Sequence, residues 1–325
     1  MRRTALTLGV LIAVAVVAVQ ALLVPLFAAP AANLAPRDLP IAVAGPPQLA
    51  AQLTAAHPGA FDIRTVADPD AAIKNREVYG AVLLTPGGPE VHVASAAGPT
   101  VSALLTQAAA ELGKSVPGGV PVRDVVPLDA DDPRGAGFGA GFLPMAITSL
   151  LAGVLIFFAV RRRAARIVAL GSYAVLAGLA GALVQQQWLG ILPGDFLAVA
   201  GALGLFGLAV AGAMTGLAAL LDRGGLALGA AVLFLVGNAL SGIAAVPELL
   251  PQPWGEVGQW LPIGAGGTLL RSVAYFGGSG AGPAVAVLTA YAIGGLTLVL
   301  VGRRGLAGKP AAVPAGAPAE LVPAR

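Results

Sequence analysis

The chain has 325 residues, of which 57% are hydrophobic and 11% are charged, and its formal net charge is +3. Ordinary soluble domains carry roughly 25% charged residues, so this composition excludes a typical water-soluble fold. The sequence has no cysteine, which excludes disulfides, thiolate metal sites and cysteine-ligated iron–sulfur clusters. A charge this small on so long a chain gives no reason to expect a nucleic-acid partner.

The first element predicted along the chain is a membrane anchor. Residues 5–29 form an apolar run that follows Arg2 and Arg3. A bilayer core about 30 Å thick needs about 20 apolar helical residues, and this run is longer than the roughly 7–15 apolar residues of a secretory signal. The stretch Ala28-Ala29-Pro30 resembles a cleavage region, but the length favours an uncleaved anchor over residues 1–29.

Residues 30–138 have a different character and are predicted to form a domain in water. Eleven acidic and seven basic residues fall in this range. Strand and helix patterns alternate along it, which is typical of a small α/β sandwich. Its length is sufficient for a modest core of its own. The predicted strands cover residues 39–44, 61–66, 79–84, 90–94 and 120–128, and the predicted helices cover 47–56, 69–76 (with Asp68 as N-cap) and 100–112.

We find no residue pattern typical of a catalytic or metal site in this domain. Its two histidines, His57 and His92, are far apart in sequence and have no metal-ligand spacing around them. Asp129, Asp131 and Asp132 could form a calcium site, but the EF-hand pattern fails at its glycine and glutamate positions, which favours a solvated acidic linker. We therefore expect no enzymatic activity and no cofactor.

From residue 139 the chain is predicted to form a five-helix membrane domain that ends at residue 302. With the anchor, this gives a polytopic α-helical membrane protein with six transmembrane helices and a small extracytoplasmic α/β domain between the first and second. Residues 303–325, rich in Pro and Ala, are predicted to form a disordered cytoplasmic tail. The apolar runs behind the five helices cover residues 139–160, 167–186, 196–221, 224–246 and 281–301.

The basic residues of the short loops orient these spans. With six spans they fall on one side, which the positive-inside rule makes cytoplasmic, and the opposite short loops offer Arg271 alone. Both termini are then cytoplasmic and residues 30–138 lie outside. The abundance of Ala and Gly and the low Lys content suggest a GC-rich bacterial genome, so the expected location is a bacterial plasma membrane. The orienting residues are Arg2, Arg3, Arg161, Arg162, Arg163, Arg166, Arg223, Arg303, Arg304 and Lys309.

Two features of the membrane domain have both a structural and a functional interpretation. Small residues recur four apart, as in Gly212/Gly216 and Ala174/Gly178, which favours close helix packing but also follows by chance from an Ala/Gly-rich chain. The polar and aromatic residues towards the outer side are the other feature. They form either an interfacial anchor with ordinary helix–helix hydrogen bonds or the outer gate of a transport path. The candidates are Asn238, Ser241, Trp254, Trp260 and Arg271.

Several stretches of the chain look familiar: the strand sequence Leu39–Ala44, the helix-then-strand stretch Ala72–Pro86, the stretch Val91–Leu112, and Pro247 with Leu261-Pro262 in the outer loop. These stretches and the order of the parts resemble the ABC-2-type permeases, in particular their phage-infection-protein (Pip-like) branch. The external domain is shorter than in the larger members and leaves no room for a long coiled-coil stalk.

The resemblance implies a function. ABC-2-type permeases are the membrane subunits of exporters, pair with a separate ATPase subunit and usually work as dimers. We therefore expect an amphipathic or lipid-like substrate and a homo- or heterodimer in the lipid bilayer. The branch also includes phage receptors and relatives in secretion machinery, so the alternative is a non-transporting envelope protein whose outer domain binds a cell-wall, lipid or protein partner. Contact with an ATPase would involve Arg161, Arg162, Arg163, Arg166, Asp222 and Arg223, although positive-inside anchoring also explains the arginines.

Overall fold

A computed structural model describes residues 2–302, with side chains from residue 7 onwards. The predicted tail 303–325, with Arg303, Arg304 and Lys309, lies outside the described residues. Within this described part, five helices are long and apolar enough to cross a membrane by length and composition, so the chain has the architecture of a polytopic helical membrane protein. They cover Thr7–Ala32, Ala136–Ala159, Arg163–Trp188, Phe196–Leu221 and Gly282–Val301.

Residues 2–302 contain eleven helices, numbered α1 to α11 along the chain. Short helices of the α/β domain are α2 (Pro47–Ala56), α3 (Pro69–Lys74) and α4 (Pro99–Gly113), and they follow α1 (Arg2–Ala32). The second half contains α5 (Ala136–Ala159), α6 (Arg163–Ala182, continued by a π-helical turn Leu183–Trp188), α7 (Phe196–Leu221), α8 (Arg223–Ala239), α9 (Trp254–Gln259), α10 (Pro262–Phe276) and α11 (Gly282–Val301).

The α/β domain contains a five-stranded sheet in the order β2-β1-β3-β4-β5. The central strand β1 pairs in parallel with β2 and β3, β3 and β4 form an antiparallel hairpin, and β5 pairs in parallel with β4. The alternating pattern read from the sequence is thus confirmed, although β5 is shorter than the predicted strand. The bounds are β1 Leu39–Ala44, β2 Phe61–Thr65, β3 Gly80–Thr85, β4 Gly88–Val93 and β5 Val122–Asp124.

Helix α7 is the centre of the membrane bundle. It contacts α5, α6, α10 and α11, and glycines bring the backbones together. A Cβ on Gly216 would lie 2.5 Å from the carbonyl oxygen of Gly295 on α11, and one on Gly178 of α6 would collide with the carbonyl oxygen of Ala200 on α7. Van der Waals packing of small residues is the main attraction between helices in lipid, so these approaches hold α6 and α11 against α7.

The core of the α/β domain is shared with the membrane half of the chain. Leu39, Ile41 and Val101 pack in one cluster with Val246 and Leu249, which follow α8. Both of these later residues are fully buried. The 30–138 segment therefore buries one face against the loop that joins α8 to α9, rather than completing a core by itself.

The region predicted as the fifth span differs from its neighbours. Its helix α8 covers Arg223–Ala239 and is shorter than the five candidate spans. It includes a π-helical stretch, Ala230–Val236, and the chain then continues without regular structure to the 3₁₀ turn Pro247–Leu249. The sequence pattern extended to residue 246 because these later residues are apolar. Ala245 and Val246 are buried in the core of the α/β domain, whereas Ile243 packs against the core of the bundle.

A candidate ligand cavity between the α/β domain and the membrane helices

A cavity of about 1120 Å³ lies where the α/β domain meets the membrane half of the chain. One wall is formed by the starts of β1 and β2 and the turn before β3, and the other by α9, α10 and the first turns of α11. Its volume slightly exceeds that of typical small-molecule pockets, about 300–1,000 Å³. The lining residues used below are Arg37, Asp38, Asp62, Arg64, Arg76, Glu77, Tyr79, Glu248, Glu256, Gln259, Trp260, Thr268, Pro283, Ala286 and Val287.

Arg76 fastens the α/β domain to α10 at the inner end of the cavity. Its backbone is left-handed, with φ of 60°, which turns the chain sharply after α3. The guanidinium donates to the carbonyl oxygen of Thr268 over 3.1 Å and to the Ser272 hydroxyl, and it stacks over the Phe276 ring with 5.3 Å to the centroid. Burial lowers the pKa of this guanidinium. A single side chain thereby links α3 to three successive turns of α10.

A second connection joins the same turn to the loop after α8. The Tyr79 hydroxyl donates to a Glu248 carboxylate oxygen over 2.8 Å. Burial raises the pKa of the Tyr79 phenol, and the Glu248 carboxylate raises it further. The phenol therefore stays protonated, and its bond to Glu248 joins a neutral donor to a charged acceptor, the stronger class of hydrogen bond. Nearby, the Arg37 guanidinium donates to the carbonyl oxygen of Leu249 over 2.8 Å and makes a further connection to the same loop.

Carboxylates outnumber guanidiniums in the cavity wall. Five carboxylates and three guanidiniums line it, which leaves a formal net charge of −2. Each guanidinium already donates to protein oxygens: Arg37 to backbone carbonyls, Arg64 to Asp62 and the carbonyl of Glu77, and Arg76 to α10. The five carboxylates are Asp38, Asp62, Glu77, Glu248 and Glu256.

The part of the opposite wall that α11 forms is apolar. Pro283, Ala286 and Val287 of α11 line it, and Pro283 and Ala286 are exposed on the surface of the chain. Trp260, at the end of α9, also lines the cavity and exposes 71% of its surface. Exposed tryptophans are typical of the membrane–water interface. The cavity therefore combines charged and polar residues on both walls with an apolar patch on α11, which is one of the candidate membrane spans.

The residues predicted as an outer gate are gathered around the loop after α8. The Ser241 hydroxyl donates to the carbonyl of Asn238, and the carbonyl of Ser241 accepts from Gln259 over 3.0 Å. Arg271 is buried, donates to the carbonyl of Ile243 over 3.1 Å and stacks over Phe138 with 4.6 Å to the centroid.

Of the five gate candidates, Trp260 alone lines the cavity. Trp254 begins α9 and is half exposed. The contacts of Asn238, Ser241 and Arg271 stay within the protein. Their hydrogen bonds use backbone carbonyls at the end of α8 and in the loop after it, and Arg271 also stacks over Phe138. These residues therefore have a structural role beside the cavity.

The residues predicted to contact an ATPase lie at the other end of the bundle. Arg163 donates to the carbonyl of Gly302 at the end of α11 over 2.6 Å, and Gly302 lies against Ala219 near the end of α7. Arg166 is buried, donates to the carbonyls of Phe157 and Val160 and stacks over the Phe157 ring. The remaining candidates are exposed: Arg161, Arg162, Asp222 and Arg223.

Arg166 therefore has a structural role in closing the α5–α6 turn, and Arg163 joins the start of α6 to the end of α11. Arg161 and Arg162 are free to meet another protein, as are Asp222 and Arg223 at the α7–α8 turn. Asp222 has a left-handed backbone, with φ of 54°, and it ends α7 and starts α8 directly. The two exposed pairs follow adjacent helices at one end of the bundle.

His92, which has no metal-ligand spacing around it in the sequence, is part of a charged cluster on the sheet. Its Nδ1 lies 2.6 Å from an Asp70 carboxylate oxygen, and its Nε2 lies 3.7 Å from Glu90. Arg123 on β5 also reaches Asp70, at 3.3 Å. Among the described residues, no group of three or more His, Cys, Asp or Glu could hold a metal ion. The cluster connects α3, β4 and β5.

The acidic linker residues also have definite positions. The buried Asp132 carboxylate accepts from the backbone amide of Phe138 over 3.0 Å. This caps the first turn of α5, where a negative charge is favourable. Asp132 therefore fixes the point at which the α/β domain passes into the bundle.

Comparison of the chain with protein families, with curated proteins and with solved structures gave no match. The resemblance to ABC-2-type permeases thus stays a prediction from the residues quoted above. The cavity residues Arg76, Tyr79 and Glu248 were not predicted as site residues. Their partners lie between 169 and 196 positions away in sequence, so no local spacing pattern could have paired them.

Proposed function

We propose that the chain is the membrane permease subunit of an ABC-2-type exporter, which moves an amphipathic or lipid-like substrate with energy from a separate ATPase subunit. The observation that carries this proposal is the cavity between the α/β domain and the membrane helices. Its charged wall suits a polar headgroup, and its apolar wall on α11 suits a hydrocarbon chain. A molecule with both parts is the ligand that such a site would take.

The position of the cavity fits a transport role. It lies beside Arg76 and Tyr79, which join the α/β domain to α10 and to the loop after α8. A displacement of the domain relative to the bundle would change the size of the cavity, because its two walls belong to the two parts. Movement of one packed body against another is a common way to expose a site alternately.

Six transmembrane helices form part of the proposal. Helix α8 starts at Arg223 beside the end of α7, and the chain that follows it reaches the core of the α/β domain at Val246. With a rise of about 1.5 Å per residue, its 17 residues extend about 25 Å, close to the roughly 30 Å of a bilayer core. An even number of spans would leave both termini in the bacterial cytoplasm and the α/β domain outside.

The exposed charged turns support a partner at the cytoplasmic end. Arg161, Arg162, Asp222 and Arg223 are accessible there, at the end of the bundle opposite the cavity. A surface with both charge signs is suited to steering and orienting a partner protein. The permease would work as a homo- or heterodimer, as the resemblance implies.

Co-purification of the full chain tests the proposal. We expect a nucleotide-binding subunit to elute with the tagged chain in mild detergent. A variant with Arg161→Gln, Arg162→Gln and Asp222→Asn should lose this subunit while keeping its own elution volume, because all three side chains are exposed. Arg134→Gln is the matched control, since Arg134 is exposed just before α5, at the other end.

Recovery of the chain without a nucleotide-binding subunit, under conditions in which the chain remains folded, would contradict the exporter. A second function would then take its place: a non-transporting envelope protein that holds a ligand in the same cavity. Its supporting observation is the dense packing around α7, where Phe142, Leu203 and Phe206 fill the space between helices. Such a bundle is well suited to anchoring a binding domain.

A further inference from the structure

We infer that the cavity selects amphiphiles with a cationic, hydrogen-bond-donating headgroup, such as a long-chain alkylammonium. This inference rests on the proposed function, since it names the substrate class of the same site. The first observation is the imbalance of charge in the wall, which has a formal net charge of −2. An uncompensated negative wall attracts cations and disfavours phosphate and carboxylate headgroups.

The second observation is that the positive groups of the wall are already engaged. The Arg37 guanidinium donates to three backbone carbonyls, those of Asn33, Ala35 and Leu249. Arg64 is paired with Asp62 at 2.8 Å. The Arg76 guanidinium donates to Thr268 and Ser272 of α10 and stacks over the Phe276 ring. The guanidiniums therefore have little capacity left for an anionic ligand.

The carboxylates, by contrast, keep acceptor capacity. In the part of the chain that the structure describes, the side chains of Asp38 and Glu256 make no hydrogen bond or ion pair, and Glu248 accepts a single bond, from Tyr79. Ionised carboxylates accept several hydrogen bonds each. An ammonium group has three donors and no acceptor, which is the complement of this wall.

The third observation is the aromatic and apolar side of the cavity. Trp260 stands at its rim, and a cation over an indole face gains additional attraction. Beyond it, Pro283, Ala286 and Val287 offer an apolar track along α11. Asp38 and Glu256 are both exposed, and a headgroup that binds either carboxylate would leave its hydrocarbon chain against α11 and the surrounding lipid.

The test is a binding measurement on the full chain in nanodiscs of uncharged lipid. Three fluorescent dodecyl probes differ only in the headgroup, which is an ammonium, a hydroxyl or a carboxylate. We expect the ammonium probe to bind at least about tenfold more tightly than the hydroxyl probe, and the carboxylate probe to bind most weakly. Raising the salt concentration should reduce the difference, because these charges are partly exposed.

The variant Asp38→Asn with Glu256→Gln removes two charges without changing shape. Asp38 has a left-handed backbone, with φ of 50°, a conformation that Asn also tolerates. We expect this variant to bind the ammonium and hydroxyl probes about equally. Glu111→Gln, a change on the exposed face of α4 away from the cavity, should keep the full preference.

Each outcome has a separate meaning. Equal binding of all three probes by the unmodified chain, or a preference that persists in the double variant, would overturn the cationic headgroup and leave an amphiphile site in place. Failure of every probe to bind would instead remove the support for the cavity as a substrate site, and with it the argument for the exporter. Selective ammonium binding that the double variant abolishes would establish the inference.

Discussion

Helices α1 and α7 are both long and apolar, yet they have opposite surroundings. In the most apolar stretch of α7, 61% of the residues are buried inside the chain, whereas in α1 none is. Large side chains such as Leu8, Val14 and Leu22 on α1 are exposed. Within the described residues α1 meets the rest of the chain near its carboxyl end, where it approaches the end of α8.

The difference follows from the small residues. Gly207 and Gly216 of α7 each lie within a few ångströms of a neighbouring helix, while the single glycine of α1, Gly9, has nothing within 4 Å. Hydrophobicity drives a helix into lipid but gives no reason to prefer a protein neighbour there, since lipid chains are equally apolar. Length and hydropathy thus predict that a helix enters the membrane, and the positions of Gly and Ala decide what it packs against.

The largest effect is expected from filling one of these close approaches. Gly216→Ala should destabilise the bundle by about 1–3 kcal/mol, because the new methyl group would lie 2.5 Å from the carbonyl oxygen of Gly295. Thermal unfolding in detergent, followed by size-exclusion chromatography of the heated samples, measures the shift of the midpoint.

Two control variants are expected not to destabilise the protein. A Cβ on Gly201 of α7 or on Gly9 of α1 would meet no atom within 4 Å. Since Ala favours a helix over Gly by about 1 kcal/mol in exposed positions, Gly201→Ala and Gly9→Ala should be neutral or stabilising. A loss for Gly9→Ala as large as that for Gly216→Ala would show that α1 has a close neighbour after all.

A smaller effect is expected from the buried hydroxyl of α7. Thr215 Oγ1 donates to the carbonyl of Gly153 on α5 over 3.0 Å as well as to Ala211 on its own helix. Thr215→Val keeps the shape and removes the interhelical bond, which should cost about 0.5–1.5 kcal/mol. The matched change Thr148→Val removes a hydroxyl that bonds only within α5. Equal losses in the two variants would mean that the α5–α7 bond contributes nothing.

The smallest effect is expected in α1. Among the described residues the Gln20 side chain makes no hydrogen bond, although it lies in the middle of an apolar helix. Gln20→Leu should therefore change the free energy of unfolding of the single chain by less than about 0.5 kcal/mol. A clear loss of stability in the same unfolding assay would place Gln20 in a contact with another helix, for example α1 of a second copy.

Much of the fold was predictable because it depends on local signals. The strands β1 and β2 and the helix α4 were found from alternation and helical spacing, and the capping role of Asp68 is confirmed by its bond to the amide of Ala71. These features need only a few neighbouring residues. The same applies to the four candidate spans after α1, whose apolar runs are uninterrupted.

The candidate site was less predictable because it depends on distant pairs. The sequence singled out Arg271 and Trp260 as unusual residues in an outer loop. It could not show that Arg271 donates to Ile243 or that Trp260 lines the cavity, because both contacts depend on how the chain folds. Arg76 and Glu248 look like ordinary surface charges in the sequence. The apolar segment after α8 was interpreted as membrane-spanning because burial in a domain core and burial in lipid select the same residue types.

The shared core also has a consequence for the synthesis of the protein. Residues 39–109 supply most of the cluster around Leu39, but Val246 and Leu249 are translated much later. At about 5–20 residues per second, the gap lasts on the order of ten seconds. During this time an apolar face of the nascent domain stays uncovered, until the synthesis of α5 to α8 is complete and the missing loop follows. The order of synthesis thus sets the earliest moment at which the domain can complete its folding.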